Sequence, residues 1–153
     1  RAPGVVGAVF DDERVCAEII CDGFHIHPAV LRTTFRQLGK RITVVSDSMS
    51  AAGLEDGEYE LGGQPVYVKD SKACLKDGTI AGSTTNLYQE MKNLVSWGVP
   101  FEQVIHSLTL APAKCVRADN LVGSLATGKL ADVVLLDSEL NLVKVIQNGK
   151  ICG

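Results

Sequence analysis

The sequence has little of what marks a membrane-bound or nucleic-acid-binding protein. Its apolar runs, such as residues 133–136, are far shorter than the roughly 20 residues that a membrane-spanning helix needs. No cluster of lysine or arginine occurs, and the formal net charge is -3, so the basic surface that binds nucleic acid or anionic lipid is missing. These absences predict a cytoplasmic protein with neither a nucleic-acid partner nor a membrane partner.

Cysteine usage excludes two further classes. The five cysteines form an odd set without a C-x-x-C pair, so neither a disulfide scaffold nor a cysteine zinc site is indicated. We expect reduced and mostly buried thiols. The 153 residues, 46% of them hydrophobic and 22% charged, are typical of one soluble globular domain.

A short strand that ends in a carboxylate organises the middle of the chain. Residues 42–45 are β-branched and uncharged, which is typical of a strand buried on both faces, and Asp47 follows after Ser46. Barrel and doubly wound enzymes keep their chemistry at the carboxyl ends of such strands. Asp47 is therefore a candidate catalytic residue. The alternative is that Asp47 caps a helix beginning at Ser48.

A second strand is predicted upstream, over residues 16–21, and it also ends in polar groups. Pro28 starts a helix that Gly39 closes, and the strand at residues 42–45 follows. Strand, helix and strand in this order predict a right-handed βαβ unit, in which both strand ends face the same side.

Two histidines follow the first of these strands. His25 and His27 alternate along a segment predicted to be extended, so their side chains should point the same way. Two imidazoles can hold a metal, but a zinc site needs further ligands. We favour a hydrogen-bonding role toward a substrate for His25.

The rest of the chain alternates between short strands and helices. Turn signals between residues 54 and 80 predict a small antiparallel insertion. Gly82 leads toward a helix that Ser83 or Thr84 would cap. The free backbone N–H groups at the start of this helix could bind an anion. The remaining predictions are a short element at 5–10, helices after Pro100 and from Pro112, and strands at 131–136, 142–146 and 150–152 joined by an Asn148–Gly149 turn.

Three motifs, in this order, resemble the C-terminal part of N-acetylglucosamine-6-phosphate deacetylases. They are Asp22-Gly-Phe-His-Ile-His-Pro28, Val44-Val-Ser-Asp-Ser-Met-Ser-Ala-Ala-Gly53 and Gly78-Thr-Ile-Ala-Gly-Ser-Thr-Thr-Asn86. The segments at 123–137 and 145–150 are similar to the tail shared by the amidohydrolase superfamily, where it forms a small β-sandwich beside a (β/α)8 TIM barrel. The resemblance implies an α/β fold with the last two barrel strands and helices in residues 1–122, an insertion at about 54–80, and sandwich strands in residues 123–153.

The resemblance also implies a reaction and its residues. The reaction is hydrolysis of the acetamide of N-acetyl-D-glucosamine 6-phosphate to D-glucosamine 6-phosphate and acetate. Asp47 would take a proton from the metal-activated water and pass it to the leaving amine. Substrate would be bound by Asp22, Gly23, Phe24 and His25, by Ile80, Ala81 and Gly82, and by Arg1, which matches the family's phosphate-binding arginine although alanine follows it here in place of glutamate.

The family's metal ligands, a glutamate and two histidines, have no counterpart in this sequence. The resemblance therefore implies that the chain is a C-terminal part of a longer homodimeric enzyme that uses a divalent metal, zinc or iron. By itself we expect it to bind no catalytic metal and to be inactive. Two alternatives remain: another amidohydrolase, dihydroorotase-like or a deaminase, and a non-catalytic α/β module that binds a sugar phosphate or a protein.

Overall fold

The computed structural model describes residues 1–152 and is built from short helices and strands. The helices are α1 (Gly4–Asp11), α2 (Pro28–Leu38), α3 (Leu87–Ser96), α4 (Phe101–Leu108) and α5 (Leu110–Cys115), with a 3-10 turn at Gly39–Arg41. The strands are β1 (Ala17–Ile19), β2 (Ile42–Val44), β3 (Gly57–Leu61), β4 (Gln64–Lys69), β5 (Lys72–Cys74), β6 (Ile80–Gly82), β7 (Val133–Leu136), β8 (Leu142–Gln147) and β9 (Lys150–Cys152). None of the helices in the described residues is long and apolar enough to span a membrane.

Contacts divide the chain into two compact units. The first unit is Arg1–Leu108 and the second begins at Thr109. The first contains α1 to α4 and β1 to β6, whereas the second contains α5 and β7 to β9. The assignment of residues 1–122 to a barrel and 123–153 to a sandwich stays a prediction.

The β1-α2-β2 segment forms the predicted strand–helix–strand unit. β1 pairs with β2 in parallel, from Ala17 opposite Ile42 to Ile19 opposite Val44. All three residues of β2 are buried, as expected for a strand covered on both faces. Leu31, Phe35 and Leu38 recur at helical spacing, so α2 buries one apolar face. Gly39 ends the helix at a φ of 55°, a conformation that glycine adopts readily.

An antiparallel sheet in the order β3-β4-β5-β6 occupies the predicted insertion. The buried side chains of β4 and β5 (Val66, Val68 and Ala73) pack against Met49 and Ala51 from the segment after β2. The sheet is therefore packed directly on the chain that follows Asp47. β6 was not predicted, because Ile80–Gly82 contains a glycine and is only three residues long.

Several helix starts differ from the prediction. α3 is capped by Asn86, whose side chain accepts a 2.9 Å hydrogen bond from Gln89 N, and not by Ser83 or Thr84. The Ser83 hydroxyl instead accepts from Thr85 N at 3.1 Å, which stabilises a turn before the helix. α5 begins at Leu110 and not at Pro112, since proline is tolerated in a first helical turn. The short element at 5–10 is the helix α1.

The expectation of mostly buried thiols is wrong. Cys16, Cys115 and Cys152 are exposed, Cys74 is half-buried and only Cys21 is fully buried. None of the described cysteines is in a disulfide.

The second unit contains a three-stranded antiparallel sheet in the order β7-β8-β9. Its predicted Asn148–Gly149 turn is confirmed: both residues have positive φ, 49° and 75°, as the tightest hairpin turns require. Asp132 steadies this turn by accepting a 2.7 Å hydrogen bond from Asn148 N.

Arg41 ties the end of α1 to the start of β2. Its guanidinium donates to three backbone oxygens at 2.8 to 2.9 Å, those of Val9, Asp12 and Val15. A fourth contact reaches Phe10 O at 3.3 Å. The last carbonyls of a helix lack partners within the helix, so a cation placed there satisfies several of them at once.

Arg41→Met should lower the free energy of unfolding by about 2 kcal/mol, because it removes charged donors from backbone oxygens that are partly shielded from water. Lys40→Met, which removes the neighbouring exposed charge, should change it by less than about 0.5 kcal/mol. Urea unfolding of both variants measures the difference. Equal midpoints would show that the Arg41 contacts contribute nothing specific.

Candidate functional site

The ends of two adjacent parallel strands bring the first predicted site residues to one edge of the sheet. The last register pair is Ile19 opposite Val44, and Val45 N donates to Ile19 O at 3.1 Å. Asp22 and Asp47 each lie three residues beyond that pair in their own segment. The two carboxylates therefore follow the same edge, as the βαβ prediction required.

Asp47 lies in a segment whose backbone is fixed by a neighbouring stretch of chain. Ser83 N donates to Asp47 O at 3.2 Å, and Met49 N donates to Ser83 O at 2.9 Å. Ser48 and Ser83 thus form an isolated parallel bridge. No helix begins at Ser48, so the interpretation of Asp47 as a helix cap is wrong: the backbone that would start the helix is paired with Ser83.

The bridge also places Gly82, the last residue of the second predicted group (Ile80, Ala81 and Gly82), beside the backbone of Asp47. A side-chain carbon built at Gly82 would lie 3.8 Å from Asp47 O and 3.5 Å from Met49 Cβ. The Asp47 side chain is exposed and its φ is 45°, a left-handed conformation that aspartate tolerates. The backbone of Asp47 is therefore held in place while its carboxylate faces solvent.

Asp22 folds the segment that follows β1 into a turn. Its Oδ1 accepts hydrogen bonds from Phe24 N at 2.8 Å and His25 N at 2.9 Å, and its Oδ2 lies 2.7 Å from His25 Nδ1. Burial raises the pKa of Asp22, but the backbone and ring hydrogen bonds from His25 and the Phe24 N–H outweigh it. The pKa of Asp22 therefore lies below its ordinary value, and the carboxylate is held ionised.

The predicted geometry of the two histidines is wrong. Residues 22–26 form bends and not an extended segment, because Asp22 captures three donors from the residues after it. His25 points back to Asp22. His27 caps α2, with its Nδ1 accepting from Ala29 N at 3.2 Å.

Gly23 is required by this turn for two reasons. Its φ is +79°, and a side-chain carbon at this position would lie 2.9 Å from the ring of Trp97. Only glycine adopts such a backbone conformation at little cost. The indole of Trp97, just beyond α3, therefore sits directly against the backbone of the Asp22 turn.

A cavity of about 350 Å³ opens beside the Asp22 turn. It is lined by Asp22, Gly23 and Phe24, by residues 70–72 where β4 turns into β5, and by residues 84–86 before α3. The ammonium group of Lys72 lies 5.4 Å from the centre of the Phe24 ring, within the range of a cation–π contact. Neither Asp47, His25 nor the exposed Arg1 lines this cavity.

Sequence reasoning missed the residues that α3 and the start of β5 bring to the site. Lys72, the first residue of β5, reaches Phe24 from about fifty residues away along the chain. Glu90 accepts a hydrogen bond from Cys21 N, and Asn93 donates one to Cys21 O. The sequence contains one signal for the role of Glu90. Its charge lies beside the apolar positions Met91 and Leu94, and a charged residue is unusual on a buried helix face.

The described residues do not form a complete metal site. No group of three or more His, Cys, Asp or Glu side chains within residues 1–152 is arranged to hold an ion. His25 is engaged with Asp22 and His27 with Ala29. A divalent ion bound as in hydrolytic zinc sites takes more ligands than these residues offer.

Comparison with protein families matches residues 14–152 to the amidohydrolase family. Among curated relatives, a putative N-acetylgalactosamine-6-phosphate deacetylase of Escherichia coli K12 is 38% identical over the whole of this chain and 92% of its own length. The N-acetylglucosamine-6-phosphate deacetylase of Vibrio furnissii is 36% identical over 99% of this chain, which corresponds to 38% of that protein.

Solved structures agree with these relatives. The N-acetylglucosamine-6-phosphate deacetylase from Thermotoga maritima matches 97% of this chain with a TM-score of 0.91 at 36% identity. That from Pasteurella multocida matches 97% of the chain, also with a TM-score of 0.91, at 30% identity. The chain spans 41% and 39% of these two proteins.

These matches confirm the predicted resemblance and an α/β structure that resembles part of the deacetylase structures. The matched region covers nearly the whole sequence, including all three motifs on which the resemblance rests. The chain belongs to the amidohydrolase family.

Proposed function

We propose that this chain supplies the proton-transferring carboxylate and part of the sugar-phosphate site of a deacetylase. The reaction is hydrolysis of the acetamide of N-acetyl-D-glucosamine 6-phosphate to D-glucosamine 6-phosphate and acetate. One observation carries the proposal: Asp47 and the Asp22 turn follow the ends of adjacent parallel strands, and the 80–83 segment is bridged to the Asp47 backbone.

The same unit supports a proposal for the fold. Parallel β1 and β2 with the intervening α2 are the repeating unit of a (β/α)8 barrel, whose active site lies at the carboxyl ends of the strands. We propose that β1 and β2 are the last two barrel strands, that β3 to β5 are an insertion, and that residues 123–153 belong to a β-sandwich. Similarity to part of two deacetylase structures supports this assignment.

Asp47 has the properties that a general base and acid needs. Its carboxylate is exposed, while its backbone is fixed by Ser83. The carboxylate takes a proton from the attacking water as oxygen bonds to the acetamide carbon. It then delivers that proton to the amide nitrogen as the carbon–nitrogen bond breaks, which releases a neutral amine.

Substrate binding is assigned to the residues around the strand ends. Asp22 orients His25 through the 2.7 Å contact, which leaves the other ring nitrogen of His25 for a sugar-phosphate oxygen. Gly23 and Phe24 line the cavity, and Ile80, Ala81 and Gly82 would offer backbone groups next to Asp47. Arg1 would bind phosphate, for which a guanidinium is suited.

Amidohydrolases use divalent metals, and the chemistry that such an ion supplies is activation of water. Zinc or iron remains our proposal for the complete enzyme, with ligands beyond those of residues 1–152. We also propose a homodimer in which Arg1 and His25 serve the partner's pocket. Arg1 is exposed and therefore accessible to a second subunit.

N-acetylgalactosamine 6-phosphate is a second candidate substrate. Two relatives at 38% identity, from Escherichia coli K12 and O157:H7, are described as N-acetylgalactosamine-6-phosphate deacetylases, the former as putative. The two sugars differ only in the orientation of the hydroxyl at C4. Acetate release from both epimers by the complete product of the gene, compared as kcat/KM, decides between them. Release from neither epimer would contradict the proposed function.

Asp47→Asn in the complete gene product should lower kcat by roughly 10² to 10⁴, because the amide cannot carry the proton, while KM changes little. Asp11→Asn, which removes an exposed carboxylate elsewhere in the same unit, is the matched control. Steady-state acetate release measures both variants. Near-normal turnover by Asp47→Asn would remove Asp47 from the mechanism.

His25→Ala should raise KM for the phosphorylated sugar about tenfold or more and leave kcat within a few fold, because it removes a hydrogen bond to a charged group. His27→Asn is the control, since asparagine also caps a helix and His27 is assigned no substrate contact. An unchanged KM in His25→Ala would refute its assignment to the sugar phosphate.

A further inference from the structure

One face of α3 and the residue just beyond the helix hold the segment that connects β1 to the Asp22 turn. Glu90 Oε2 accepts a 2.9 Å hydrogen bond from Cys21 N, and Asn93 Nδ2 donates a 3.3 Å hydrogen bond to Cys21 O. Trp97 lies against Gly23. These three residues are spaced by three and four positions, so they share one side of the helical path.

Cys21 needs partners from outside the sheet. It lies two residues beyond Ile19, where the register with β2 ends. Buried backbone groups without partners are costly, and Cys21 is fully buried. Glu90 and Asn93 satisfy both of its backbone groups and thereby fix the residue that directly precedes Asp22.

A glutamate is an unusual residue to hold a buried strand end. Its side chain is fully buried, and its second oxygen, Oε1, has no hydrogen-bond partner among residues 1–152. Burial raises the pKa of Glu90 to about 7; the Cys21 N–H opposes the shift, and the charge of Asp22 adds to it. A carboxyl group in this position is costly unless its hydrogen bond serves a purpose that an apolar side chain cannot.

We propose that Glu90 is a positioning residue for sugar-phosphate binding: through Cys21 N it sets the orientation of the Asp22–His25 pair. The inference rests on the proposed function of His25. Glu90 touches no substrate in this scheme and acts only through the backbone of the strand end. Its loss should therefore weaken substrate binding and leave proton transfer at Asp47 nearly intact.

Charged and titratable groups occur on the elements next to Glu90. Cys21 and Asp22 face it from the strand end. Tyr88 and Lys92 lie on α3 itself, and α4, which packs against α3, carries Glu102 and His106. Asp22 is the one whose charge acts on Glu90, which is consistent with electrostatic coupling between the positioning group and the turn that it holds.

The test compares Glu90→Leu with Glu90→Gln in the complete gene product. Leucine removes the acceptor for Cys21 N, whereas glutamine keeps an acceptor oxygen and resembles the protonated carboxyl. We expect a KM about tenfold higher in Glu90→Leu, kcat within a few fold, and recovery of KM in Glu90→Gln. Glu102→Leu, which removes an exposed carboxylate from α4, is the matched control.

A second readout does not depend on turnover. Nitrogen-15 NMR of the His25 ring reports its contact with Asp22, and this signal should change in Glu90→Leu and persist in Glu90→Gln. An unchanged His25 signal together with an unchanged KM in Glu90→Leu would overturn the proposal. It would also be overturned if kcat and kcat/KM fell by the same factor in Glu90→Leu and Glu90→Gln. If the wild type releases no acetate while the His25 signal responds as expected, the proposed function fails and the positioning role stands.

The raised pKa of Glu90 predicts a pH dependence of stability. The folded chain keeps the Glu90 proton up to a pH of about 7, whereas the ordinary value is 4.5. Between these values the folded state binds more protons than the unfolded state, so the free energy of unfolding falls as the pH rises. Urea unfolding from pH 4.5 to 7 should show this fall relative to Glu90→Gln. Parallel curves for the two proteins would contradict it.

Discussion

The parallel register between β1 and β2 is the constraint on which the candidate site depends. Ile19 opposite Val44 sets where both strands stop, and therefore where Asp22 and Asp47 begin their separate turns. A slip of one residue would turn every side chain of a strand to the opposite face. All three residues of β2 are buried, so such a slip would disrupt close packing on both faces of the strand. Core packing thus fixes the relative position of the two carboxylates before any ligand is present.

The two strand ends use hydrogen bonds in different ways. At the first, the carboxylate of Asp22 shapes the turn by accepting hydrogen bonds from Phe24 and His25. The negative charge of Asp22 is therefore balanced by donors of the same chain. At the second, the backbone of Ser83 fixes that of Asp47, and the Asp47 side chain is left toward solvent. Only the second arrangement leaves a carboxylate for proton transfer with a reacting group, which is why Asp47 and not Asp22 is assigned that role.

Sequence patterns predicted the features that depend on neighbours along the chain. The strand–helix–strand unit, the end of α2 at Gly39 and the Asn148–Gly149 turn follow from local spacing and backbone preference. Features set by distant contacts were missed or misjudged. Asp47 resembles a helix cap until Ser83 pairs with it, and Glu90 resembles a surface charge although it meets Cys21 across 69 positions. The motif resemblance proposed site residues without these contacts, but it did not reveal what holds those residues in place.

The three carboxyl groups that follow or contact these strand ends differ in burial and in hydrogen bonding. Asp22 is held ionised by three hydrogen bonds, Glu90 is buried with one hydrogen bond and a raised pKa, and Asp47 is exposed. A full negative charge on Glu90 would repel that of Asp22 and that of a phosphorylated sugar bound at the Asp22 turn. Keeping Glu90 protonated for part of the time near neutral pH reduces that repulsion. Under the proposed function, this strand edge combines the proposed base Asp47 with the proposed sugar-phosphate-binding turn at Asp22, because burial moderates the charge of Glu90, which positions that turn.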